Sequence, residues 1–140
     1  MTERPDTPRL TIGTTGFVVL GEDDGAIVVT ELAYRSDDCL AVRLALLGPD
    51  GQEVAWTFAW ELLATGLMFR TGDGDVTVRP APGPIRGIEV SLLASSAVRV
   101  WLPGDGVAEF VRKVRRRADQ DVRGIAPALD RELSTITHGT

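Results

Sequence analysis

The chain has one cysteine, one histidine and one lysine in 140 residues. Cys39 has no second cysteine to pair with, so no intramolecular disulfide forms and a reducing compartment is expected. His138 lies beside the C-terminus, in what reads as a polar tail. Triad and Cys–His chemistry needs a histidine ordered in a cleft, so an exposed tail residue is the simpler reading. A catalytic thiol needs a base and an electropositive setting. Without an ordered histidine, Cys39 reads as a half-buried structural thiol. No apolar run approaches the ~20 residues of a membrane span, and no basic-then-apolar leader opens the chain. A cytoplasmic protein with no membrane insertion is therefore expected. Net charge is −5, which disfavours nucleic acid and anionic membranes as partners.

A hydrophobic share of 44% is that of a globular protein. A chain of this length makes one domain and buries roughly 68–70% of its unfolded surface without disulfide or metal staples. The most organised stretch is Val54–Pro80. Val54, Trp56 and Phe58 alternate with Ala55 and Thr57, the period of a strand. From Ala59 the pattern turns helical, with Glu61 in a first turn where a carboxylate suits the helix dipole. Leu62 and Leu63 face inward, and Gly66 falls where a left-handed residue would end the helix. Thr71 to Asp75 is turn chemistry, and Val76 and Val78 resume strand spacing up to Pro80.

Residues 1–9 read as a flexible tail. Leu10–Leu20 reads as a strand kinked or bulged at Gly13 or Gly16. A hairpin turn at Glu22–Gly25 leads to a strand over Ala26–Tyr34, and a turn at Arg35–Asp38 leads to a third over Leu40–Leu47. The segment Gly48–Gly51 is a further turn signal before Val54. After Pro80 a proline-rich loop precedes strands at Ile88–Leu92 and Val98–Leu102, joined near Ser95 and Ser96. Asp105 is placed to cap a helix over residues 106–118, whose Val107, Phe110, Val111, Val114 and Ala118 form one stripe. Asp119–Pro127 reads as a linker, and Ala128–Thr137 as a short terminal helix. The result is an α+β chain of about seven mostly antiparallel strands, with a short helix after strand four and two helices at the end. It divides into a tail over 1–9, a single domain over 10–118, and a linker with C-terminal helix over 119–140.

The Val54–Pro80 unit resembles the signature of the SsgA-like family of actinobacterial sporulation and cell-division proteins. That signature runs V-x-W-x-F-A-R-D-L-L-x-x-G-L, then G-x-G-D-V-x-x-W-P. Val54, Trp56, Phe58, Ala59, Leu62, Leu63, Gly66 and Leu67 match the first part; Gly72, Gly74, Asp75, Val76 and Pro80 match the second. Trp60 stands where the family has arginine, Glu61 for aspartate and Arg79 for tryptophan. Tyr34 and Asp38–Val42 resemble a further family segment, Y…D-P-Y-A-V, with Cys39 and Leu40 as departures. Leu129–Leu133 resembles L-D-x-E-L. The resemblance implies a Whirly-like fold assembling as a homotrimer. It implies a non-enzymatic regulator of septum-site selection in sporulation, acting at the cell septum by protein–protein recognition. The implied partners are SsgA-like paralogues and the tubulin-like division protein FtsZ, with no cofactor and no small-molecule substrate. Its alternative is a single-stranded nucleic-acid binder of Whirly type.

The remaining motifs have plain readings. Glu22–Gly25 and Asp73–Asp75 lack the ligand count and flanking helices of a calcium loop and read as turns. Gly72-Asp73-Gly74 has no Lys-Ser/Thr to hold phosphate. The basic run from Arg112 to Arg117 reads as a solvated helix face, with docking of an acidic segment or nucleic acid as the functional reading. Single-strand binders stack bases on exposed aromatics in a basic groove, whereas Trp56, Phe58 and Phe110 fall on core-facing positions. Trp101 falls on the strand face opposite Val98, Val100 and Leu102, where an indole packs under a helix or at a subunit contact. Its preferred role is an oligomer interface. Trp60, Trp101, Arg112 and Arg116 are the candidate oligomer or partner surface.

Overall fold

A computed structural model describes residues 9–19, 25–48, 50–93 and 97–138. Strands β1 (Arg9–Val19), β2 (Gly25–Arg35), β3 (Ala41–Leu47) and β4 (Glu53–Ala59) are followed by helix α1 (Glu61–Gly66). Strands β5 (Thr71–Asp73), β6 (Val76–Pro80), β7 (Gly87–Leu93) and β8 (Ala97–Pro103) are followed by helix α2 (Gly104–His138). All strand pairings are antiparallel, in one eight-stranded sheet of order β4-β3-β2-β1-β8-β7-β6-β5.

Two four-stranded meanders thus meet along β1 and β8. The junction is short: only Phe17–Val19 pair with Arg99–Trp101, while β1 pairs with β2 over all of Arg9–Val19. Gly16 lies at this corner. A Cβ there would meet Thr30 Oγ1, Leu102 and the Trp101 carbonyl, so only glycine lets the two halves approach.

Strand alternation sends one face inward. Val78, Val90, Val100 and Val18 form a continuous cross-strand row through β6, β7, β8 and β1. Val78, Val90 and Val100 are fully buried, and Val18 nearly so. Leu32, Tyr34, Val42, Leu44 and Phe58 extend the core under the first meander. Helices cover this face. Leu63 enters from α1, and Val107, Phe110, Val111, Val114 and Ala118 enter from α2. The stripe expected on the long helix is the one that packs.

Several expectations need correction. Among the described residues there are eight strands rather than about seven, because Thr71–Asp73 pairs with Val76–Val78 as a short hairpin. Gly72 and Gly74 take positive φ in that hairpin, at 126° and 76°. The linker over residues 119–127 and the separate terminal helix are absent. Helix α2 is continuous from Gly104 to His138, with Gly124 and Pro127 inside it. Asp105 lies in the first turn of α2 rather than capping it, and its carboxylate pairs with Arg86 at 3.4 Å. Gly66 is the last residue of α1 and does not take positive φ. Its role is close approach, since any Cβ would collide with Val78. The Val54, Trp56, Phe58 face is graded: exposed, half-buried and buried in that order along the edge strand. The tail expected over residues 1–9 is outside the described residues except for Arg9, which opens β1. The turns expected at Glu22–Asp24 and at Ser95 and Ser96 lie outside the described residues.

Candidate functional site

The sheet face away from the helices carries the most exposed chemistry. Antiparallel register aligns Arg79, Glu89, Trp101, Phe17 and Ile27 as one row across β6, β7, β8, β1 and β2. The neighbouring row sets Thr77, Ser91 and Arg99 side by side. Each of these residues alternates with a core valine, isoleucine or leucine, which fixes the outward direction.

At one end of the row is a polar depression of about 380 Å³ lined by Arg70, Thr77, Arg79, Glu89, Ser91 and Arg99. Arg79 donates from Nε and Nη2 to Glu89 Oε1 at 3.2 and 3.0 Å. The Arg99 Nη1 is 4.0 Å from the same oxygen. Glu89 is well shielded, with 14% of its side chain exposed, while Arg79 and Arg99 keep 42% and 48%. Two guanidinium groups therefore share one carboxylate, and a third, that of Arg70, lines the same depression.

At the other end is an apolar hollow of about 380 Å³ lined by Thr15, Gly16, Phe17, Ile27 and Trp101. Phe17 is 41% and Ile27 74% exposed, and Val29 on the same strand face is also exposed. The aromatic rings lie over glycines: a Cβ on Gly87 would strike the Trp101 indole, and one on Gly25 would strike the Phe17 ring. Trp101 is thus a half-buried ring resting on bare backbone with its edge in the hollow.

Trp60 has a different setting. It is 8% exposed within the core cluster, and the Arg115 guanidinium lies 5.9 Å from its ring centroid. It forms part of a groove of about 320 Å³ with Cys39, Leu40, Glu61, Arg115, Ala118, Asp119 and Val122. Cys39 is buried there at 6% exposure. Arg112 and Arg116 are exposed on α2, opposite the stripe that packs on the inner sheet face. The four residues singled out from sequence are therefore not brought together: Trp101 faces out from one side of the sheet, Arg112 and Arg116 from the other, and Trp60 is inside.

Sequence reasoning missed Arg70, Arg79, Arg99, Glu89, Phe17 and Ile27 as one surface. The outward phase of Arg79, Glu89 and Arg99 is readable from alternation with Val78, Val90 and Val100, whereas Arg70 lies outside the strands. The adjacency of this cluster to Phe17 and Ile27 depends on β8 pairing with β1, across about 80 residues of sequence, and no local pattern carries that.

The fold is an antiparallel sheet with helices packed on one face, and no helix among the described residues is long and apolar enough to cross a membrane. The family model described as Streptomyces sporulation and cell division protein, SsgA, matches residues 28–121. The chain belongs to this SsgA family. It is similar to the sporulation-specific cell division protein SsgB of Thermobifida fusca, 39% identical over 66 residues, 46% of this chain and 48% of the relative. It is 36% identical to SsgB of Saccharopolyspora erythraea over 89 residues, 63% of each chain. The chain thus spans about half to two thirds of the length of these curated relatives. The crystal structure of an SsgA-like sporulation-specific cell division protein from Thermobifida fusca superposes with a TM-score of 0.76 at 23% identity. That match covers 94% of this chain and 99% of the other, and it shows a shared fold.

Proposed function

We propose that this protein is a non-enzymatic regulator of sporulation-specific cell division that acts at the septum by binding other proteins. The observation that carries the reading is family membership over residues 28–121, in a domain whose outer sheet face is left uncovered by its own helices. Its relatives are named as sporulation-specific cell division proteins. In this reading the chain helps select septum sites by recruiting or organising the FtsZ machinery together with SsgA-like paralogues, and it works as a homotrimer with a Whirly-like arrangement. Exposed apolar side chains rimmed by charge are what a recognition surface presents to a partner.

The test is a fluorescent fusion expressed in sporulating hyphae beside a labelled division ring. The fusion is expected to mark septum sites before the ring assembles. Uniform fluorescence throughout sporulation would refute the reading. Sedimentation of the purified chain is expected to give a trimer, and a monomer at high concentration would remove the assembly from it.

A further inference from the structure

We infer that the outer sheet face around Glu89 and Trp101 docks an acidic segment of another protein, anchored by an apolar side chain. The inference rests on the reading of the chain as a recognition protein and names the chemistry of what it recognises.

Charge is the first argument. Arg70, Arg79 and Arg99 line one depression against the single carboxylate of Glu89. This local positive excess stands in a chain whose net charge is −5. Arg79 is engaged with Glu89, Arg99 is held only at 4.0 Å, and Arg70 has no ion partner among the described residues. Guanidinium forks recognise carboxylates in pairs of parallel hydrogen bonds. The Thr77 and Ser91 hydroxyls stand in the same depression to complete such contacts.

Geometry is the second. Glu89, Trp101 and Phe17 are register partners on β7, β8 and β1. Neighbouring strands lie about 4.8 Å apart, so the arginine depression and the apolar hollow are centred roughly 10 Å from each other. An extended chain covers that span in about three residues. A segment laid across the strands places a carboxylate over Arg70 and Arg99 and an apolar side chain between Phe17, Ile27 and Trp101.

The same charges argue against other occupants. Two copies meeting face to face would set arginines against arginines. A nucleic-acid strand would cross the shielded Glu89 on a protein of net negative charge.

The experiment is a titration of the isotope-labelled full chain, followed through the Arg79 and Arg99 guanidinium N–H and Trp101 indole resonances. The probe is a short blocked peptide with two aspartates about three residues from a phenylalanine. The controls are the same peptide with asparagine for aspartate, and oligo-dT. The acidic peptide is expected to shift all three groups, and binding is expected to weaken at least about tenfold with the asparagine peptide and in an Arg70→Gln/Arg99→Gln chain. Both arginines are exposed, so this variant keeps its fold. No response at millimolar peptide would overturn the proposal, as would equal binding of the asparagine peptide or tighter binding of oligo-dT. A Phe17→Ser/Ile27→Ser chain that sediments as a smaller species than the parent would also overturn it, making the face a contact between copies. Septal marking without a peptide response sinks the docking site and leaves the division reading standing. A peptide response without septal marking sinks the division reading instead.

Discussion

The Tyr34 hydroxyl donates to Asp121 Oδ2 at 2.6 Å, tying β2 to helix α2 across 87 positions. Tyr34 is 1% exposed, and the helix stripe that packs on the sheet ends nearby at Ala118. The bond therefore holds the helix where its apolar contacts run out. A hydrogen bond to a charged group contributes about 1.5–3 kcal/mol. Tyr34→Phe and Asp121→Asn are each expected to destabilise the chain by up to that amount. In denaturant unfolding the double variant should lose less than the sum of the two. Additive losses would mean that the pair does not interact in solution.

The same pair sets an alkaline limit. Burial, the bond to Asp121 and repulsion by its carboxylate raise the pKa of Tyr34 well above that of an ordinary phenol. In the unfolded chain the phenol ionises near pH 10, while the folded state keeps its proton to higher pH. This contribution to stability is therefore whole below about pH 10 and is lost as pH rises above it, at up to about 1.4 kcal/mol per pH unit. Tyr34 is the only tyrosine, so the tyrosinate absorbance reports this group alone. The titration should be delayed in the folded chain and ordinary in denaturant. Tyr34→Phe should flatten the alkaline fall in unfolding free energy.

Two helical glycines should respond in opposite ways to alanine. A Cβ on Gly66 would collide with the fully buried Val78, so α1 must lift from β6. Overpacking of this kind destabilises by about 1–3 kcal/mol, and Val78→Ala in the same chain should relieve part of it. Gly106 has nothing within 4 Å of its would-be Cβ. Alanine there should stabilise α2 by about 0.5–1 kcal/mol by restricting the unfolded backbone. Thermal melts of the four variants check the order: Gly106→Ala above the parent, Gly66→Ala/Val78→Ala below it by less than Gly66→Ala and Val78→Ala summed.

How much was legible along the chain follows from the range of each contact. Alternation at Ile88, Val90 and Leu92, and the stripe from Val107 to Ala118, disclose their buried faces because both are local periodicities. Gly124 and Pro127 suggested a linker because each weakens a helix locally, by about 1 and 3 kcal/mol. The tie from Tyr34 to Asp121 supports α2 from elsewhere in the sheet, which local propensity does not register. Trp60 read as surface because it replaces a charged residue in the family pattern. In the fold α2 lays Arg115 over it, and the ring is buried. The arginine face was hidden for the same reason: Arg79 and Arg99 lie on different strands, and only the register through Glu89 brings them to one carboxylate.

Glu89 is the residue on which the two readings of that face diverge. As a mere structural ion pair it would neutralise Arg79 and steady the sheet, and its loss would lower the melting temperature without strengthening any ligand. As the occupant of a carboxylate site it competes with the incoming acid. Glu89→Gln keeps the side-chain length and an oxygen that accepts from Arg79, so the depression keeps its shape. The pair is partly exposed, with 42% of Arg79 accessible, and pairs of this kind contribute about 0–1 kcal/mol. The melt should therefore move little. Removing one negative charge from among three arginines should raise affinity for the acidic peptide several-fold, and the gain should shrink as salt is added, since exposed charges are screened over about 10 Å at 0.1 M. A large fall in melting temperature with no gain in affinity would assign Glu89 to the fold alone.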